Sequence, residues 1–154
     1  MRIAEKVQAI ELLEEICGIN AKDAVFYKTA FLRAKRLFFK NLYFRLYKQK
    51  EAFNEEIQEQ MKNLQKELSL LGEDSSLTCS DKESSSPSED CPQFRNDEIF
   101  YECYQREKRS WEKYHKALPQ INHGSIREIL LCHRHAVRLI LNEIKIIGAA
   151  KYPV

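Results

Sequence analysis

The sequence is poor in residues that interrupt helices. It has only four Gly and four Pro, and neither type occurs between Ile19 and Leu71. A chain of many short strands needs such residues at its turns, so this gap excludes a multi-strand fold for the first half and predicts long helices. Long apolar runs are missing too. With no stretch of about 18 apolar residues, no membrane span is expected. The opening residues, MRIAEKVQAIELLEE, lack the apolar core of an export signal and are already amphipathic. The five cysteines (Cys17, Cys79, Cys91, Cys103, Cys132) are irregularly spaced, which excludes a disulfide framework. Reduced thiols and a cytoplasmic location are therefore expected. Charge of one sign is not in excess: a net +2 gives no general affinity for polyanions. A Gly-rich phosphate loop and a recognisable nucleophile are also lacking.

What is present suits one all-α domain, since 154 residues can bury a real core. Apolar residues recur at steps of three and four and predict four helices, over 3–33, 37–71, 97–118 and 125–147. The first seam reads Ile10, Leu13, Cys17, Asn20, Ala24, Tyr27, Phe31. The second reads Phe39, Leu42, Leu46, Gln49, Phe53, Ile57, Met61, Leu64, Leu68, Leu71. Nothing in the residue types separates these two helices. A turn near Ala34–Leu37 is expected because a helix of about seventy residues is far outside the ordinary range. Gly18 sits inside the first helix at a cost of about 1 kcal/mol relative to Ala. The third seam reads Phe100, Tyr104, Glu107, Trp111, Tyr114, Leu118 and stops before Pro119. The fourth opens at Ser125 with Glu128 three residues on, a capping-box pattern. It continues through Ile126, Leu130, His133, Val137, Ile140, Ile144 and Ile147 to a stop at Gly148, with an extended tail.

Between Gly72 and Pro92 the composition changes to seven Ser, six acidic residues and one Lys. Such a segment cannot bury enough apolar surface to order itself, so 72–96 reads as a flexible acidic connection. Short links within each helix pair and this long one between them predict a four-helix bundle of two antiparallel hairpins. The long connection lets the third helix run parallel to the second, and a short-loop up-and-down bundle is the alternative.

Each seam carries one polar residue: Asn20, Gln49, Glu107 and His133. Asn20 and Gln49 lie about equally far from the first turn, and Glu107 and His133 about equally far from the second. At about 1.5 Å per residue the four should meet in one layer of the core. They form either a hydrogen-bonded layer that fixes helix register or a ligand site, in which Glu107 and His133 are the candidate metal ligands.

With these residues the chain resembles a bacterial ferritin-like domain family of unknown function. The resemblance lies in LLEEICGINAKDAVFYKTA, FNEEIQEQMKNLQKELSLLGED, ECYQREKRSWEKYHKAL and LNEIKII, and covers most of the chain outside the Ser-rich connection. It implies a ferritin-like bundle and little about activity. The wider group holds two irons with a Glu on each of two helices and a Glu-x-x-His on each of the others. Here Arg45 and Lys48 stand where the second helix would supply that pair, and Arg138 and Leu141 where the fourth would. The one match, Glu112-x-x-His115, lies beside its seam and reads as an exposed pair. Cys132 and His135 share a spacing suited to a metal, with Cys103 as a conceivable third ligand. Two ligands do not make a zinc site, and a buried cysteine beside a surface histidine is the expectation.

From Val25 to Lys50 there are eight basic residues, eight aromatic residues and no acidic one. Such a stretch suits a solvated face, self-association, a nucleic acid or other anionic partner, or a membrane surface. The leading expectation is a non-catalytic interaction or stress-associated module that forms homo-oligomers and takes no cofactor. One alternative is a ferritin-like iron or zinc protein or oxidoreductase with a reduced or atypical site. The other is a protein that binds an anionic partner through 25–50.

Overall fold

The structure is a computed structural model that describes residues 2–70 and 96–151, with side chains for 2–70 and 98–148. The expected connection over 72–96 lies outside the described residues, except for Asn96. Four helices make up the fold: α1 (Ile3–Arg33), α2 (Leu37–Leu70), α3 (Asn96–Ala117) and α4 (Gly124–Lys151), with a 3₁₀ turn at Leu118–Gln120 between the last two. No strand occurs among the described residues. No described helix is long and apolar enough to cross a membrane.

α1 opens with the Arg2 backbone N–H donating to the Glu5 carboxylate at 3.1 Å, which serves one of the orphan donors of a helix start. It ends without Gly or Pro. Ala34 is extended at φ −65° and ψ 132° and buries its side chain. The Lys40 ammonium donates to the Phe31 carbonyl at 3.0 Å and sits over the Phe31 ring. A cation on the last carbonyls of a helix satisfies them and complements the helix dipole. Lys40 thus closes α1 from the first turn of the next helix.

Paired residues give the helix directions. α1 and α2 are antiparallel, with Lys6 on Glu67 and Asn54 on the Cys17 carbonyl. α3 and α4 are antiparallel, with Tyr114 on His133. α1 also runs antiparallel to α3 (Gln8 to Gln120, Tyr27 to Glu107), and α2 to α4 (Arg45 to Glu143). It follows that α2 and α3 point the same way.

α4 differs from expectation at both ends. It begins at Gly124, so Ser125 lies inside the first turn rather than ahead of it. The chain entering α4 is instead held by Arg127, whose guanidinium donates to the carbonyls of Leu118 and Ile121. At the other end the helix passes Gly148 and continues to Lys151. Gly148 packs under Phe100, where an added Cβ would meet the ring at 3.5 Å. The two alanines that follow are the strongest helix formers, so the glycine does not stop the helix.

The core falls into two apolar clusters. One lies toward the α3–α4 turn and centres on Ile10, Leu13, Ile57, Leu64, Ile121 and Leu130. The other lies toward the α1–α2 turn and centres on Tyr27, Leu42, Leu46, Cys103 and Ile144. The buried polar residues Asn20, Asp23, Lys50, Glu107, Ser110 and His133 interrupt the apolar positions along their helices.

Candidate functional site

Glu107 is the centre of the first polar group. Its side chain is fully buried, as is that of Lys50, and the ammonium lies 3.0 Å from each carboxylate oxygen. The Tyr27 hydroxyl donates to the same carboxylate at 2.9 Å. Burial pushes the Tyr27 phenol well above its ordinary range, with the thiol of Cys103 and the Glu107 charge adding to the effect. It therefore stays protonated and stays a donor. Cys103 is likewise raised by burial, foremost, and by Glu107. That makes it a poor nucleophile, since the thiolate is the reactive form.

A second ion pair lies beside the first. Arg106 donates to the nearly buried Asp23 at 2.9 Å and stacks its guanidinium over the Phe26 ring. Burial raises the Asp23 carboxyl, and Lys50 and Arg106 pull it back only in part. Lys50 and Arg106 thus face Glu107, Asp23 and the part-buried Glu102, whose carboxylate lies 3.1 Å from Arg106 Nε. Leaving either charge of a buried pair alone is what makes such groups costly.

The other polar group is built on Tyr114. Asn20 Nδ2 donates to the Tyr114 oxygen at 3.0 Å, and Tyr114 lies 3.1 Å from His133 Nδ1. Burial raises the Tyr114 phenol, so it keeps its proton and donates a hydrogen bond to the imidazole. His133 stacks flat on Phe53, with ring centres 3.9 Å apart. Burial, and then the nearby Lys50 charge, lower it to about 4. His133 is therefore neutral at neutral pH with Nδ1 as acceptor and the proton on Nε2. Its contact with half-exposed Glu56 at 3.5 Å is a long dipole–charge contact, not an ion pair.

The expected single layer is corrected on two points. Gln49 is not the core residue of α2: it lies half-buried at the flank, and Lys50 holds the seam position. Steps of three then four, or four then three, both link Leu46 to Phe53, so spacing alone cannot choose between the two. Lysine is almost never fully buried unless paired, which favoured glutamine. The carboxylate that pairs it sits on a different helix. Secondly, Glu107 and His133 belong to separate hydrogen-bond groups. Tyr114 stands two turns beyond Glu107 on α3, a rise of about 10 Å. The Phe53 ring touches both groups, with the His133 ring stacked at 3.9 Å and the Lys50 ammonium 5.5 Å from its centre. In α1 the buried positions are Ile16, Asp23 and Ala30 rather than Cys17, Ala24 and Phe31.

The remaining candidates do not assemble. His115 is exposed, stacks on Trp111 and faces Arg134 at 3.0 Å, so its Nδ1 is already engaged; Glu112 beside it is exposed. Cys132 is exposed rather than buried, and Cys103 is in the core. Arg45 is paired with Glu143, Arg138 lies over Trp111, and Leu141 is a core residue. No group of three or more His, Cys, Asp or Glu among the described residues converges as a metal cage would require. Glu107 has both oxygens on an ammonium, and the other buried carboxylate, Asp23, is held by Arg106. A metal ion brought there would stand against a fixed positive charge, so these residues do not fit a di-iron group.

The stretch 25–50 divides sharply. Lys40 caps α1, Arg45 pairs with Glu143, Lys48 pairs with Glu51, and Lys50 is buried on Glu107. Arg33, Lys35 and Arg36, by contrast, are exposed at the α1–α2 turn. No protein-family model, curated protein or solved structure matches the chain.

Proposed function

We propose that this chain is a ferritin-like helical module that works by binding, not by catalysis. One observation carries the reading: the core carboxylate Glu107 is neutralised by Lys50 at 3.0 Å, both fully buried. A carboxylate with both oxygens held by an ammonium of the same chain is poorly placed to ligate a metal ion. The helix directions support the ferritin-like part, because the parallel sense of α2 and α3 is the arrangement that a long crossover between hairpins produces. The depressed His133 is explained by burial and then by the Lys50 charge, and the raised phenols by burial foremost. The hydroxyl, amide, carboxylate and imidazole groups of the core bond to one another across the helices, and such contacts fix register. The test is metal analysis of protein purified without chelator. A small fraction of an iron or zinc per chain is expected. About two irons per chain, the complement of a working di-iron site, would overturn the reading.

Self-association is a second component, favoured by a separate observation. Leu131, Leu139 and Ile146 are exposed on α4 at spacings of eight and seven, which is one stripe of a helix. A second copy would cover it. Light scattering coupled to size exclusion should report a dimer or larger species that Leu139→Glu reduces to monomer. A wild-type monomer at high concentration would refute this component.

A further inference from the structure

The α1–α2 turn brings exposed apolar side chains and exposed cations together within seven residues. From residue 32 to 38 every side chain except Ala34 is exposed. Three of these are large and apolar: Leu32 at 66%, Leu37 at 71% and Phe38 at 56% exposure. Three are cations: Arg33, Lys35 and Arg36 make no side-chain hydrogen bond or ion pair among the described residues. The acidic residues Glu102 and Glu143 are already engaged, with Arg106 and Arg109 and with Arg45; Glu98, in the first turns of α3, also has a partner. The first turn of α2 has no acidic residue to offset the positive end of its dipole. Beneath Lys35 and Arg36 a small apolar cleft opens, floored by Ala30, Ala34, Phe39 and Ile99.

We propose that this end of the bundle docks on an anionic membrane surface, with Leu32, Leu37 and Phe38 entering the headgroup–acyl boundary and Arg33, Lys35 and Arg36 meeting lipid phosphates. The proposal rests on the binding-module reading and names its partner. Apolar side chains flanked by cations are the composition of an interfacial anchor, in which burial and charge attraction add. Charge complementarity decides between occupants. A second copy docked end to end would oppose three unpaired cations with three more, whereas an anionic bilayer neutralises them and covers the apolar groups together. A single-stranded nucleic acid would meet the cations but would leave two aliphatic leucines without a stacking partner.

The experiment is co-sedimentation of the full chain with vesicles of phosphatidylcholine alone and with equal parts of phosphatidylglycerol. Binding to the anionic vesicles is expected, weakening as salt rises, with little on the neutral ones. Lys35→Ala/Arg36→Ala should lower the partition coefficient more than tenfold, about fivefold for each basic residue removed near the surface. Leu37→Ser/Phe38→Ser should lower it comparably. Lys62→Ala/Lys66→Ala, the same charge loss on exposed residues near the far end of α2, should leave it within twofold. Unchanged helical circular dichroism guards against misfolding, since all the substituted side chains are exposed. Three results overturn the proposal: no binding to anionic vesicles, equal binding to neutral ones, or equal loss in the far-end control. Retention of a single-stranded oligonucleotide, lost in the turn variants, in the absence of vesicle binding would assign the cations to nucleic acid instead. Failure here leaves the metal analysis unaffected, and stoichiometric iron would overturn the earlier reading without changing the vesicle result.

Discussion

Glu107 offers the sharpest perturbation. Its carboxylate accepts from Lys50 at 3.0 Å and from Tyr27 at 2.9 Å, and neither Lys50 nor Glu107 has any solvent exposure. Removing one member of a buried pair leaves the other charge uncompensated, a loss of about 3–5 kcal/mol. Glu107→Ala also leaves a cavity and belongs at the upper end of that range. Glu107→Gln keeps the volume and one acceptor for Lys50 or Tyr27 but removes the negative charge, so a smaller loss of about 2–3 kcal/mol is expected. Lys50→Met strands the carboxylate with a single donor and should cost about 3–5 kcal/mol. The double variant Lys50→Met/Glu107→Leu removes both charges. It should return to within about 2 kcal/mol of wild type, because an apolar pair of similar volume replaces a desolvated ionic one. Urea denaturation followed by circular dichroism reads these differences. With a slope of about 1–3 kcal/mol per molar, a loss of 3 kcal/mol moves the midpoint by at least about 1 M. Single losses that simply add in the double variant would mean that the charges are not coupled, and a Glu107→Ala variant that unfolds at the wild-type midpoint would mean that the carboxylate is not buried; either result refutes the pairing.

Three further outcomes follow from other residues. His133 is depressed to about 4 in the fold against an ordinary 6.5, so the unfolded chain binds its proton more tightly. The stability this supplies is complete above pH 6.5 and is lost as pH falls through 4, amounting to about 3 kcal/mol. Asp23, raised by burial, works in the opposite sense at the acid end. Urea midpoints measured across this range should fall on acidification in wild type and more weakly in His133→Gln; parallel curves would refute the assignment. Gly18 is exposed in α1 with nothing within 4 Å of an added Cβ, so Gly18→Ala should stabilise by about 1 kcal/mol, and a loss of stability would show a hidden contact. Lys40→Met should destabilise by about 1 kcal/mol through the uncapped Phe31 carbonyl, and the thermal midpoint is the check.

The helices were legible because their determinants are local. An apolar step of three and four needs only the residue types, and α2 and α4 show it over most of their lengths. The break at 34–36 was placed by a length limit, because its cause is not local: Lys40 reaches back to the Phe31 carbonyl, and Ala34 is held by burial. Gly148 misled for the converse reason, since a glycine marks a helix end only when nothing else keeps the helix going. Here Phe100 packs against it and two alanines follow.

The polar core was legible in kind and not in partners. Asn20, Glu107 and His133 were found by their seams, whereas Lys50 was missed one residue away, although it satisfied the same spacing as Gln49. Burial of a lysine is a property of a pair, and its partner lies 57 positions on. Tyr27 and Tyr114 were counted as apolar fillers, yet their hydroxyls join the helices, one to Glu107 and one to Asn20 and His133. Each seam holds residues with two ends, and the apolar end alone sets the periodicity. The same logic applies to the surface. The eight cations of 25–50 looked alike until half of them proved to have work inside the fold. Three of the rest stand together at the α1–α2 turn, where Leu32, Leu37 and Phe38 are also left in water. The proposed docking end is this turn, where exposed cations and exposed apolar side chains stand side by side.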